Sequence, residues 1–455
     1  MTDVADRSTQ SPSAPVDTSR VPFRVTDEAY VASERYFDVG FFRLENEKLW
    51  MRAWQPACRL DEIPSPGDFT EYQILDQSVL MIRQADMSVK AFHNACRHRG
   101  TALGRGTGSY RAEQIVCPFH GWRYNLDGTN SYVYAERHFR PDCVEKAELN
   151  LRPLPVGIKW GMAWITFEEI PTPFEENFHG IAEAVDLNRL DLMHVNWWHC
   201  VEFKANWKIA QEAFFEAFHV MQTHPEVAMF IRDDDYDVML GTRYATTARG
   251  HAWADSSDSQ LLGGSGENQP PSRSGKSPAE HYYAMVRALW EGAQAETTPR
   301  LVALAEEVLA ECPHEHFFEE YYRRVYAEAA ERNVPTPPPD PKMTGHWTVF
   351  PNFTGVCILG EALVYRSRPH PTDPNRCYYD FWSLSIPPEG TPVKRALEGQ
   401  GPPWDDLWFV HQDASNIERQ QIGLRTMGHK VNRLAPDLER MIINWHARLD
   451  QVLAS

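Results

Sequence analysis

Apolar and aromatic positions recur at mixed three- and four-residue spacing through 26–52 (Tyr30, Tyr36, Phe41, Phe42, Leu49, Trp50), a period that predicts a helix. From about Trp54 the texture changes. Short β-rich runs at 78–83 and 89–92 are punctuated by Gly, Pro and Asp, the pattern of a small antiparallel domain reaching to about Phe167, where Pro171 and Pro173 mark a boundary. Beyond it, the aromatic-rich run 194–204 predicts a strand leading into a helix over 206–223. The Gly/Ser/Pro-rich stretch 256–277 reads as a loop. Three helices follow: Ser277-Pro278-Ala279-Glu280 has the form of a capping box, and Thr298-Pro299 and Cys312-Pro313 open the other two. The Pro-rich run 335–341 closes that block, 361–368 and 377–386 predict a hairpin, and helices are expected at 406–425 and 436–453. No internal repeat is visible.

Composition bounds the function. Of 455 residues, 42% are hydrophobic and 24% charged, which excludes a largely disordered chain. The balance of 45 Lys+Arg against 63 Asp+Glu gives a net charge of −18, which argues against nucleic acid or an anionic membrane as main partner. Eight cysteines are too sparse for a disulfide scaffold. No stretch approaches the roughly 18 apolar residues of a membrane helix. Residues 1–20 carry neither an apolar core nor a cleavage pattern and read as a disordered tail, so a cytoplasmic protein is expected.

Two constellations carry candidate chemistry. Cys96-Arg-His98 and Cys117-Pro-Phe-His120 are separated by eighteen residues, so each of two short loops supplies one thiolate and one imidazole. A zinc finger usually groups Cys with Cys and His with His. A Rieske [2Fe–2S] centre uses two Cys on one iron and two His on the other, and mixed loops suit it well. A zinc ribbon remains the alternative; it would be colourless, where the cluster is red-brown. In the second constellation Glu212, Glu216 and His219 fall at i, i+4 and i+7 on one face of the expected helix, with His224 five residues further on. Both His reach one metal only if the helix ends between them, and Pro225 favours an ending. Two His and a carboxylate describe the facial triad of non-haem iron oxygenases. The expected helix 406–425 offers Asp413 beside Trp408 and Phe409.

These motifs, in this order from about residue 45 to 425, resemble the large (α) subunit of Rieske non-haem iron aromatic ring-hydroxylating oxygenases. The resemblance implies an α+β fold: an antiparallel-β Rieske domain at 45–167, and a helix-grip catalytic domain from 21–44 and 168–455, its antiparallel sheet wrapping a long helix. It implies that Cys96 and Cys117 bind one cluster iron and His98 and His120 the other, that His219, His224 and Asp413 hold a mononuclear Fe(II), and that Asn206-Trp207-Lys208 is the lead-in to the iron helix. Glu216 would bridge His120 of one subunit to His219 of its neighbour in a head-to-tail homotrimer, with or without a small β subunit. The family usually has Asp at that position and Tyr where this chain has Phe218, and eighteen residues between the cluster pairs is long for it.

The implied activity is a terminal oxygenase. It would use O2 and electrons from NAD(P)H, through a separate reductase or ferredoxin, to hydroxylate an aromatic or other hydrophobic substrate. Ring dihydroxylation is expected; the alternative is monooxygenation, including O- or N-demethylation. No nicotinamide-binding loop is present in the chain itself. Arg97 and Arg99 are candidates for an electron-donor docking patch, the block 278–333 for a cap over the substrate, and Cys58, Cys143, Cys200, Cys312, Cys357 and Cys377 read as ordinary buried thiols.

Overall fold

The computed structural model describes residues 16–217, 219–224, 226, 243–257, 275–338, 340, 342 and 345–455. The tail before residue 16, Phe218, Pro225 and most of the 256–277 loop lie outside the described residues.

The N-terminal half is built from small antiparallel sheets. One has five strands in the order Pro153–Leu154, Val89–His93, Gln77–Arg83, Asp68–Ile74 and Thr107–Ser109; a second joins Gln114–Val116, Arg123–Asn125 and Asn130–Tyr132. Leu80, Ile82, Phe92, Ile115, Trp122 and Tyr124 share one core between them. The C-terminal half is organised on a seven-stranded antiparallel sheet in the order His194–Phe203, Cys377–Ser385, Glu361–Pro369, Phe353–Ile358, His346–Val349, Ala252–Asp255 and Arg243–Thr246. The hairpin expected around 369–376 is present, with Pro369 paired to Cys377. Phe353–Ile358 and His346–Val349 are short strands with mostly buried residues on both faces, and so lack the alternation that reveals a half-exposed strand.

The long helix Trp408–Leu424 lies against this sheet, the helix Pro278–Ala293 and the helix Trp207–Glu212. Its buried stripe is Val410, Asp413, Ile417, Gln421 and Leu424, so an acid occupies a core position. The helices Pro278–Ala293 and Pro299–Glu311 form where the prolines place them, and the Ser277–Glu280 capping box closes in both directions, whereas Pro313 opens only a 3-10 turn, His314–His316, and the third helix, Phe317–Glu331, starts after it. No described helix is long and apolar enough to cross a membrane.

Three expectations are corrected. Residues 26–52 are not one helix: Tyr30–Ala32 is a strand paired with Val431–Arg433, and the helix Val39–Glu45 starts only where the Asp38 side chain accepts from the Phe41 amide at 2.7 Å. The helix expected over 206–223 breaks. After Trp207–Glu212 it tightens to three-residue bonds (Phe214 amide to Gln211 carbonyl, Phe215 amide to Glu212 carbonyl) and resumes only at Val220–Thr223. The Phe214 carbonyl is taken by His346 Nε2 at 2.7 Å and the His219 amide by Glu216 Oε2 at 3.0 Å, so side chains displace the helical ladder. Among the remaining cysteines only Cys58, Cys357 and Cys377 are buried; Cys143 is exposed, and Cys200 and Cys312 are half-buried.

His251 ties the sheet to its surroundings. Its ring receives the Phe350 amide at Nδ1 (3.0 Å) and donates from Nε2 to the Asn177 carbonyl (2.7 Å), an arrangement only a neutral imidazole can make. Burial, with Arg448 and Arg249 nearby, pushes its pKa down to about 4 against the pull of the Asn177 bond. The unfolded chain takes up this proton below about 6.5, the folded chain only near 4, so stability present above pH 6.5 is lost as pH falls. Unfolding free energy is expected to drop by about 2 kcal/mol between pH 7 and 5 on this account. Chemical denaturation at both pH values should show that extra slope in the native protein and not in His251→Gln; equal slopes would reject it.

Candidate active site and cluster loops

The two cluster loops are built alike. Gly100 and Gly121 adopt φ of +74° and +70°, and their amides return to the carbonyls of Cys96 and Cys117 at 2.9 and 3.0 Å. A residue with a Cβ is strained at that φ, which is why each ligand pair is followed by a glycine. Both cysteines are buried, whereas His98 and His120 are half-exposed, with their Nδ1 atoms facing each other at 3.2 Å. Trp122 stacks on His98 with ring centroids 4.9 Å apart, and the Tyr124 hydroxyl lies 3.3 Å from Cys96 Sγ. Burial and the facing His120 hold His98 below its usual pKa, in the neutral form a metal needs. Two sheltered thiols behind two outward imidazoles fit a Rieske cluster, and the grouping is unlike that of a zinc ribbon.

At the catalytic end the break in the helix brings three groups together. His219 caps the short helix Val220–Thr223 at its start and His224 at its end, where φ and ψ of −114° and 73° leave the helical region. His219 Nε2 lies 3.5 Å and His224 Nε2 3.2 Å from Asp413 Oδ1, and a ligand atom from each of the three falls within 4.8 Å of the others. Each imidazole is oriented from behind: His219 Nδ1 by Glu216 Oε1 at 2.7 Å, and His224 Nδ1 by Gln412 Oε1 at 2.7 Å. Nδ1 is thus turned to its acceptor on both rings, and both Nε2 atoms face Asp413. Phe409 stacks on His224 at 3.7 Å. Burial lowers the pKa of His219, but the Glu216 bond and the charges of Glu216 and Asp413 outweigh it and raise it to about 8. That negative field is the one a divalent cation would complete, and two imidazoles with one carboxylate fit a facial iron site.

Glu212, expected on the same face as Glu216, is not part of this group. Its carboxyl is buried on the far side, bonded to the Tyr36 hydroxyl at 2.9 Å and His446 Nε2 at 2.9 Å, and burial pushes its pKa up to about 8.

Glu216, His219, His224 and Asp413 open onto a cavity of about 340 Å³. The block expected to cap it supplies part of its wall, with Tyr282, Met285 and Leu289 from Pro278–Ala293 and Tyr322 and Tyr326 from Phe317–Glu331. Sequence reasoning missed Gln412, although it adjoins Asp413. It also missed Glu296, a buried cavity residue whose setting, two residues before Thr298-Pro299, reads as an ordinary acid near a helix start.

Comparison with known proteins agrees with this arrangement. Residues 53–140 match the Rieske [2Fe-2S] domain, and residues 190–455 match the catalytic domain of the ring hydroxylating alpha subunit. The chain belongs to the ring-hydroxylating alpha-subunit family. Family membership brings a [2Fe–2S] cluster and a catalytic domain that binds mononuclear iron. Among relatives, the glycine betaine monooxygenase oxygenase subunit of Pseudomonas aeruginosa is 30% identical over 192 residues, 42% of this chain and 44% of that protein. The carnitine monooxygenase oxygenase subunit of Acinetobacter baumannii is 27% identical over 203 residues, 44% and 54% of the two chains. The chain thus spans about half the length of the relatives it matches. Among solved structures, naphthalene 1,2-dioxygenase with indole bound superposes with a TM-score of 0.65 at 18% identity, covering 95% of this chain and 94% of that one. At that identity the likeness is one of fold. The α+β architecture expected for this alpha-subunit family, an antiparallel Rieske domain joined to a catalytic sheet with a long helix, is the one observed.

Proposed function

We propose that this chain is the terminal oxygenase of a Rieske monooxygenase that inserts one oxygen atom into its substrate. The observation that carries the oxygenase reading is the meeting of His219, His224 and Asp413 at the edge of a mainly apolar cavity, each imidazole held with Nε2 facing the same point. The ring dihydroxylation expected from sequence is the less favoured outcome, since the relatives include oxygenase subunits named for glycine betaine and carnitine monooxygenation.

In this reading Cys96 and Cys117 hold one cluster iron, His98 and His120 the other, and His219, His224 and Asp413 the mononuclear iron. When bound, these groups supply the reduction of O2, with electrons from NAD(P)H arriving through a separate reductase or ferredoxin. The chain's own part is positioning and exclusion of water. Phe409 and Gln412 fix the His224 ring, and the cavity wall keeps solvent from the reacting carbon. Glu216 spends both oxygens on His219, one on the ring and one on the backbone amide. It thereby locks the residue through which a neighbouring subunit's cluster would deliver electrons. Exposed Phe119 beside His120, with Arg99 over its ring at 5.6 Å, gives the cluster edge a surface suited to that contact in a trimer, with or without a β subunit. Residues 45–167 form the cluster domain, and 21–44 join 168–455. The Tyr30–Ala32 pairing with Val431–Arg433 supports the latter assignment, and a cytoplasmic location follows from the NAD(P)H requirement.

The test is atom counting. Holoenzyme with a reductase is offered a panel of arenes, neutral ethers, amines and ammonium compounds under ¹⁸O2. Products in which one oxygen atom entered, including demethylated compounds with the released aldehyde, are expected. A cis-diol carrying both atoms of one O2 as the main product would overturn the reading.

A further inference from the structure

One acid in the cavity wall differs from the others. Among the described lining residues four carry carboxyls (Glu216, Glu296, Asp340, Asp413) and none is Lys or Arg. The imidazoles of the wall are committed elsewhere, His219 and His224 against Asp413 and His346 to the Phe214 carbonyl. Glu216 is bonded to His219, and Asp340 has a partner of its own. Glu296 makes no hydrogen bond or ion pair with any described residue, and it is 7% exposed.

The backbone keeps the side chain there. Glu296 adopts φ of +60°, a region an L residue rarely enters, between Ala295 and Thr297, both buried. The Gln294 carbonyl just before it accepts from Trp197 Nε1 at 2.9 Å and Ser383 Oγ at 3.1 Å, pinning the connection between Pro278–Ala293 and Pro299–Glu311 onto the sheet. A carboxylate held here would lose its hydration beside other acids of the same wall, with no described Lys or Arg to replace it, so the neutral form is the stable one. Burial pushes its pKa up to about 8, in the same direction. A carboxylate only accepts hydrogen bonds, whereas a neutral carboxyl carries an O–H and donates. The donor shares one space with the three groups at His219, His224 and Asp413: Tyr365 lies near enough to both Glu296 and Asp413 that each adds to the burial that raises its pKa.

We propose that Glu296 is a specificity-determining hydrogen-bond donor, which as the neutral acid gives its O–H to an uncharged acceptor oxygen of the substrate, such as a carbonyl or an ether. That bond would fix one end of the substrate in the wall and leave a carbon of it toward His219, His224 and Asp413. An analogue with carbon in place of the oxygen fits the same space but leaves the buried O–H unmatched, which is how a polar group in an apolar wall discriminates. This inference rests on the monooxygenase reading and adds to it what the substrate must carry away from the reacting carbon.

The experiment is isothermal titration calorimetry on the holoenzyme with acetophenone and its isostere α-methylstyrene, in which a methylene replaces the carbonyl oxygen. The quantity read is the ratio of the two affinities, compared between proteins so that the different cost of taking each probe out of water cancels. The ratio is expected to fall roughly tenfold in Glu296→Met, which has no donor, and to change little in Glu296→Gln, whose amide still donates. A ratio unchanged in Glu296→Met would overturn the proposal, as would one that falls equally in Glu296→Gln, or a native protein that does not bind acetophenone. The native holoenzyme gives a second readout that needs no variant. The infrared carbonyl stretch of a protonated carboxyl should shift when acetophenone binds and not when α-methylstyrene binds, and no shift with acetophenone would also overturn the proposal. Failure of these binding tests leaves the monooxygenase reading standing, whereas a cis-diol carrying both atoms of one O2 would sink that reading whatever the affinities are.

Discussion

Asp413→Ala is expected to abolish product formation while leaving the visible spectrum of the Rieske cluster intact. Asp413 is the group to which both imidazoles point, at 3.5 and 3.2 Å from their Nε2 atoms, and the sole carboxylate among the described residues that shares a ligand-sized space with them. It is 6% exposed at a core position of Trp408–Leu424, where an apolar residue would pack at no electrostatic cost. His219→Ala and His224→Ala should behave alike, because each removes one of three donors from an open site. Gln412→Ala should do less: it frees the His224 ring without removing a donor, and losses of an outer partner run at about 10–100-fold in metal affinity or activity. The measurement is iron content, cluster absorbance and single-turnover product yield for each variant. Full turnover by any of the three direct variants would remove that residue from the ligand set. Coincident loss of the cluster spectrum would mean that the substitution acts on folding.

How much of this was legible beforehand depends on the range of the interactions involved. The cluster loops were readable because everything that shapes them is local: Cys, His and a turn glycine within five residues, repeated once. The proline-opened helices were readable for the same reason. The break after Glu212 was not, because its causes sit elsewhere in the chain. Tyr36 and His446, 176 and 234 residues away, draw the Glu212 carboxyl inward, and His346 takes the Phe214 carbonyl from 132 residues away. Periodicity placed Glu212 on the face of Glu216 and His219, and long-range hydrogen bonds decided otherwise. Asp413 lay between these cases: an acid at the buried spacing of Val410, Ile417 and Leu424 is a visible anomaly, but only the fold shows that it faces the two His. Glu296 gave no signal at all, since only the fold places it in the cavity wall.

Lys208→Met is expected to cost the largest share of stability of any single exchange considered, about 3–5 kcal/mol, the usual penalty for leaving one member of a buried pair alone. Asn206-Trp207-Lys208 opens the helix Trp207–Glu212, and each residue has a separate anchor. Asn206 caps the helix by accepting from the Lys208 amide at 3.0 Å and holds the Pro374 carbonyl at 2.7 Å; Trp207 packs edge-on to Trp50 and Trp445. Lys208 Nζ binds both oxygens of Glu45, at 2.7 and 3.0 Å, with neither side chain exposed. Burial lowers the Lys208 pKa and raises that of Glu45, each resisted by the other's charge, so the pair persists because both members are present. Removing the ammonium leaves Glu45, among the described residues, with only the Trp207 Nε1 donor at 3.3 Å. Denaturant unfolding should show the loss, and Lys208→Met combined with Glu45→Leu should recover most of it, because an apolar replacement of both partners removes the stranded charge. A single variant as stable as the native protein would show that the ion pair is not what fixes this helix. If the loss is as large as expected, the same contact bears on function. Trp207–Glu212 is the rigid element from which the loop carrying Glu216 and His219 departs, and a helix free to shift there cannot hold His219 within reach of Asp413.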